Sequence, residues 1–360
     1  MRSARALVLL LAGLSSCAAP APPEERKGPA LTSEMLKPLT DAYREYVASL
    51  ILLDSAAPRD RAEAMSKLQA GAYTYFPDDR DLITKAAAGD DVALKELGRR
   101  GRLLDAMFAF WGPIDAGKWN DARKRICALG PDARIILVNT LLRMLLNGQL
   151  SAQWGAIRFQ LVEIGTDTLE TAVALFRVKA EETPDTIIYK QDDLMQVALV
   201  ILGFGEPGRK YIEEFAKSPR FNVRKAIVRA VGEGRGVEYL PLAREKLARD
   251  PIWVVRAAAA KTLGELRPAR ADAGAALMEA LASERDRSVR PYIVAALGQL
   301  VYEDAVPMLI RTLEAPDYDL AEKTMFALCQ ITGERLLSQE AWRRWYDREY
   351  VRWREKLRGH

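Results

Sequence analysis

Along most of this chain apolar residues return every three or four positions. In Val254–Glu265, "VVRAAAAKTLGE", residues Val255, Ala258, Ala259, Thr262 and Leu263 fall on one helical face. Near the N-terminus Met35, Leu36, Leu39, Tyr43, Tyr46, Val47 and Leu50 do the same. Leu, Ala, Arg and Glu dominate and β-branched runs are sparse, so the pattern predicts an all-helical chain.

The helical segments repeat. "NVRKAIVRAVGE" from Asn222, "VVRAAAAKTLGE" from Val254 and "SVRPYIVAALGQ" from Ser288 align without gaps. Each reads Val-Arg, seven residues, then Gly. The arginines are Arg224, Arg256 and Arg290, and the glycines Gly232, Gly264 and Gly298 stand 32 and 34 residues apart. A fourth copy, "DLAEKTMFALCQ" from Asp319, carries Ala321 for the arginine and Cys329 for the glycine, a small-residue slot that packing explains. A second helix is predicted between the copies, over Val237–Leu247, Ala273–Ala282 and Ala305–Leu313. Pro241 and Pro307 fall early in these helices, where amides lack intrahelical partners anyway. Asp250-Pro251 and Ser288 stand as candidate helix starts. Weaker copies carry Gly130, Gly165 and Gly203. Residues 31–112 are helical in pattern without that register and are expected to form an N-terminal helical region.

Two helices per 31 to 34 residues, Asp/Pro turns and a V-R-x(7)-G second helix resemble the HEAT-repeat family, especially its short bacterial form. The Trp-Leu-Gly-Tyr pattern of a tetratricopeptide array is not found. The resemblance spans residues 113–336 and is strongest over 219–334. It implies an all-α fold, an α-solenoid of HEAT-like helix pairs with helical caps at both ends. It also implies that Arg224, Arg256 and Arg290 tie adjacent repeats through acidic or carbonyl groups, as a guanidinium fork does well. The recognition face of such a stack is the one lined by second helices. There Lys225 and Arg229, Ala257 and Lys261, and Pro291 and Ala295 are expected to meet solvent, with Lys225, Arg229 and Lys261 as a candidate binding face. A solenoid must cover its ends. Residues 337–360 place Trp342, Trp345, Tyr346, Tyr350 and Trp353 on one side of a helix, with most of the arginines elsewhere. This resembles the closing helix of many bacterial HEAT-like proteins. The alternative is a basic aromatic surface for an anionic polymer or lipid.

Charge and reactive residues narrow the function. The formal net charge is +4, and without Arg2 and Arg5 it falls to +2, so no global field marks a nucleic-acid binder. The lone histidine, His360, is the last residue, which leaves no internal imidazole for a Ser-His-Asp triad, a Cys-His pair or a histidine metal site. Cys127 and Cys329 stand 202 residues apart with no CxxC, so neither a metal nor a cofactor is implied. Some HEAT-like relatives are bilin lyases or lyase subunits, and others carry iron through His-Glu pairs; the second route needs the missing histidine. Carboxylate chemistry through Asp90-Asp91 or Asp192-Asp193 stays formally open, although both read as surface loops.

The address is read from the start of the chain. Residues 1–16 form an export leader, with Arg2 and Arg5 ahead of the nine apolar-rich residues Ala6–Leu14, too few to span a bilayer. Leu14-Ser15-Ser16-Cys17 resembles the lipobox of bacterial lipoproteins, which implies a diacylglycerol on Cys17; a second or third acyl chain makes such an anchor durable. Ala at position 18 resembles the signal for outer-membrane sorting. After Cys17 the proline-rich remainder of residues 17–30 reads as a tether reaching up to roughly 40 Å at about 3.1 Å per residue. These readings predict a non-enzymatic, lipid-anchored envelope protein, on the periplasmic face of the outer membrane, offering its repeat surface to a protein partner.

Overall fold

The computed structural model describes residues 33–55, 57–71, 76, 78–111, 115–146, 152–186, 193–314 and 317–358. The leader, Cys17, the tether, Asp192 and His360 lie outside the described residues. Eighteen α-helices and no strand occur among the described residues, and the chain divides into two compact units, Met1–Thr168 and Leu169–His360.

In the first unit α1 (Ser33–Leu52) lies along α4 (Asp91–Met107), and α2 (Pro58–Ala70) and α3 (Asp79–Ala87) complete that cluster. After a 3-10 turn come α5 (Ala116–Ala128), α6 (Pro131–Leu145) and α7 (Trp154–Ile164), each packed on its predecessor. Tyr43, Tyr46, Val47 and Leu50 are all buried, as their helical spacing predicts. Asp90 caps α4, accepting hydrogen bonds from the Val92 and Ala93 amides at 2.9 and 3.1 Å.

A single guanidinium ties this unit's helices together. Asp79 opens α3 with a fully buried side chain. Arg100 of α4 donates to Asp79 at 2.7 Å, to both Asp78 oxygens at 2.8 and 2.7 Å and to Glu96 at 3.1 Å. The Tyr46 hydroxyl of α1 and the Phe76 amide donate to the other Asp79 oxygen. The Arg100 guanidinium also lies over the Phe76 ring, 4.7 Å from its centroid. Buried charge is tolerated here because each lone pair facing inward has a donor.

The second unit holds all but the first turn of α8 (Thr166–Glu182). Its helices alternate between two roles. The first helices are α10 (Glu206–Phe215), α12 (Leu240–Arg249), α14 (Arg270–Ser283) and α16 (Val306–Thr312). The second helices are α9 (Asp193–Gly203), α11 (Phe221–Glu233), α13 (Trp253–Glu265), α15 (Arg290–Gln299) and α17 (Tyr318–Thr332). Second helices lie side by side in chain order, each backed by its own first helix, and α18 (Gln339–Arg358) closes against α16 and α17. One continuous apolar cluster runs from Val228 to Trp345. This is the all-α solenoid architecture, built by stacking units that cannot bury an apolar face alone.

Two expectations need correction. Asp250 and Ser288 are not helix N-caps: α13 and α15 start later, at Trp253 and Arg290. Asp250 instead ends α12 and accepts from the Ile252 amide at 3.1 Å. Ala257 does not meet solvent; it is buried, at 5% exposure. The reason is that α13 touches α11, α15, α12 and α14, so its buried surface is wider than one helical stripe.

The repeat glycines exist for close approach. A methyl group on Gly298 would lie 2.8 Å from the Ala327 Cα, and one on Gly264 would lie 2.9 Å from the Ala296 Cα. In both cases the obstacle includes backbone of the next second helix, which cannot swing aside. Gly298→Ala is therefore expected to cost about 1–3 kcal/mol, lowering the urea midpoint. Gly155→Ala, on α7 with open space around it, is expected to change stability in the opposite direction by about 0.4–1 kcal/mol.

Candidate functional site

The arginines of the repeat form a two-rung ladder. Arg224, near the start of α11, donates Nε and Nη2 to Asp250 at 2.7 and 2.9 Å, with the Asp250 side chain only 1% exposed. Its Nη1 reaches the Ser218 and Pro219 carbonyls, both at 2.9 Å. Arg256, one repeat on, donates to Glu284 at 2.8 and 3.3 Å and to Asp286 at 3.3 Å. Its Nη1 bonds the Asp250 carbonyl at 2.9 Å, so Asp250 serves both rungs. Arg290 differs. Its Nε is buried with no hydrogen-bond partner among the described residues, and the nearby Asp317 takes Arg287 at 3.1 Å and the Leu320 amide at 3.2 Å. The Leu320 amide, reinforced by Arg287, holds the Asp317 carboxyl below its ordinary range.

One further tie has no counterpart in the repeat motif. Arg220 spans to the end of α8, donating to the carbonyls of Ala180, Glu181 and Thr183, while Asp185 accepts from the Phe221 and Asn222 amides. Its only sequence signal is an arginine four residues before Arg224.

Second helices present their side chains in rows. Lys225 and Arg229 are half-buried and already engaged by neighbours, whereas Lys261 is exposed and stands 3.8 Å from Glu265. Pro291 and Ala295 are half-buried. Further along the stack the same helices expose aromatic rings, Tyr292 at 47% and Phe326 at 60%. Where α11, α13 and α15 end, a surface cleft of 560 Å³ is lined by Glu233, Arg235, Glu265, Arg267 and Gln299. Burial pushes the Glu265 carboxyl above its usual range; Lys261 counteracts this and Glu233 adds to it. The charged side chains of the cleft are two arginines and two glutamates.

The C-terminal helix turns its rings inward. Trp342 is fully buried and donates its indole N–H to the Leu336 carbonyl at 3.1 Å, and Trp345 is 9% exposed. Trp345 meets Trp342 and Trp353 edge to face at 5.6 and 5.9 Å, and Tyr346 stacks on Tyr350 at 4.7 Å. Arg354 pairs with Asp304. Arg343, Arg344 and Arg348 point outward without a hydrogen bond or salt bridge among the described residues. Of the acid pairs, Asp90 is committed as a cap and Asp193 opens α9. Among the described residues no helix is long and apolar enough to cross a membrane.

Residues 208–290 match the family described as HEAT repeats. The matched span runs from α10 to the first residue of α15 and contains both ladder rungs, so these helix pairs are HEAT-like repeats. No curated protein matches the chain.

Proposed function

We propose that this protein is a non-enzymatic scaffold, anchored by lipid on Cys17 at the periplasmic face of the outer membrane. Its stack of second helices is held out to a protein partner. The observation that carries the reading is the row of HEAT-like second helices, which exposes Lys261, Tyr292 and Phe326 on successive members. An extended face built from rigid repeats suits recognition of another chain. The leader and Leu14–Cys17 support the address.

The test has two arms. Cells fed labelled palmitate are expected to label the wild-type protein and not Cys17→Ser. Capture from detergent-solubilised membranes is expected to recover one stoichiometric protein, lost when Lys261→Glu and Phe326→Ala are combined. Label persisting on Cys17→Ser, or no stoichiometric protein recovered, would overturn the reading. A second reading, an anionic envelope polymer or lipid on α18, rests on the outward Arg343, Arg344 and Arg348 alone, because the rings beside them face the last repeat. Retention on peptidoglycan or phosphatidylglycerol vesicles that disappears when the three are changed to Gln would favour it.

A further inference from the structure

The cleft at the ends of α11, α13 and α15 contains an arginine where the backbone asks for glycine. Arg235 follows α11 at φ 54°, in the left-handed region. Its amide bonds the Gly232 carbonyl at 3.0 Å and the next amide, Gly236, bonds the Val231 carbonyl at 3.2 Å. That pair of bonds is the Schellman helix end, whose left-handed position glycine normally fills. Glycines flank Arg235 on both sides, yet each has an ordinary φ of −73°. An arginine there costs backbone strain that either neighbour's residue type would avoid. Arg235 and Arg267 line the cleft, both exposed; the Arg235 charge acts on the Glu265 carboxyl, but neither arginine makes a hydrogen bond or salt bridge among the described residues.

Charge on this edge is lopsided. On α11, α13 and the turns that end them, the carboxylates are Glu233, Glu238 and Glu265. Apart from the ladder arginines, these segments carry Lys225, Arg229, Arg235, Lys261 and Arg267, an excess of two positive charges. Glu233 and Glu265 lie between the lysine-bearing row and the two terminal arginines, which disfavours a compact dianion such as phosphate. Carboxylates spread along a chain avoid them. Packed helices sit about 8–10 Å apart, and a chain in the extended polyproline II conformation, with three residues per turn and a rise of roughly 3.1 Å, returns every third side chain to the same face over about that distance.

We infer that this edge binds an extended acidic peptide segment, with carboxylates three residues apart, one on Arg235 and the next on Arg267. The inference rests on the scaffold reading and names the chemistry of the partner. Guanidinium forks paired to successive carboxylates fix both affinity and register.

The test uses the full chain in detergent and a fluorescein-labelled nonapeptide, (Glu-Ser-Ser)3, read by anisotropy. Its controls are the lysine analogue, an isomer with the three glutamates adjacent, and inorganic polyphosphate as competitor. The spaced peptide is expected to bind more tightly than the isomer and to weaken as salt rises. The decisive variant is Arg235→Gly. It is expected to melt higher than wild type, because the left-handed strain is relieved, and to bind the spaced peptide about five-fold or more weakly. Arg267→Gln should weaken binding similarly. Equal affinity for the lysine peptide, or unchanged affinity in Arg235→Gly, overturns the inference; so does polyphosphate displacing the peptide while itself binding more tightly. Should membrane capture succeed while the peptide fails, the inference alone falls. Peptide binding that depends on Arg235, with no partner recovered from membranes, leaves the inference standing and removes the scaffold reading.

Discussion

Replacing Arg224 with alanine is expected to destabilise the second unit by about 3–5 kcal/mol, the largest effect of any single change on the repeat face. The Arg224 and Asp250 side chains are 9% and 1% exposed, so neither charge has water to fall back on. Alanine would strand the Asp250 carboxylate with a single remaining donor, the Ile252 amide at 3.1 Å, and would leave the Ser218 and Pro219 carbonyls without Nη1. Arg256→Ala removes a similar fork from a somewhat wetter place, since the Arg256 and Glu284 side chains are 15% and 11% exposed, and a smaller loss is expected. Two companion variants separate charge from shape. Arg224→Lys should rescue little, because an ammonium cannot span both Asp250 oxygens. Arg224→Leu combined with Asp250→Leu should recover much of the loss, because no buried charge is then left alone. Urea unfolding followed by circular dichroism supplies the measurement, and an Arg224→Ala midpoint at or above that of Arg256→Ala would refute the ladder's role.

The second large effect belongs to the first unit. Arg100→Leu is expected to cost about 3–5 kcal/mol, because a single guanidinium holds Asp78, Asp79 and Glu96 together and Asp79 has no exposure at all. The Tyr46 hydroxyl and the Phe76 amide would still donate to Asp79, but neither brings positive charge. The pH dependence follows from the same contacts. The Arg100 hydrogen bond holds the Asp78 carboxyl below its ordinary 3.8, and Arg99 followed by Arg100 holds Glu96 below its ordinary 4.5. A carboxyl lowered in the folded state adds stability that is present above its unfolded value and lost as pH falls through the folded one. Wild type should therefore lose stability as pH drops from the ordinary carboxylate range downward, Glu96 contributing more than the 58%-exposed Asp78. Arg100→Leu should flatten that slope. Unfolding midpoints between neutral and acid pH would show this, and parallel slopes in the two proteins would argue against it.

The sequence by itself determined the class of fold, the repeat and its closing helix. Helical spacing reports on contacts between residues three and four apart, and Val255, Ala259, Thr262 and Leu263 are buried as that spacing demands. The V-R-x(7)-G pattern was legible for a similar reason: all three copies answer a close backbone approach at the glycine, and the first two add a fork at the arginine. Partners at a distance were not legible. Tyr46, Asp79 and Arg100 converge from three helices, and no spacing announces them. Only the tertiary structure decided that Arg290 makes no such fork among the described residues, while Arg287 reaches Asp317. It likewise buried Ala257 between neighbouring helices and brought Arg235 and Arg267 to one cleft. The physical reason is that periodicity encodes which face of a helix is apolar, whereas the angle of each turn sets what that face and its charged ends will meet.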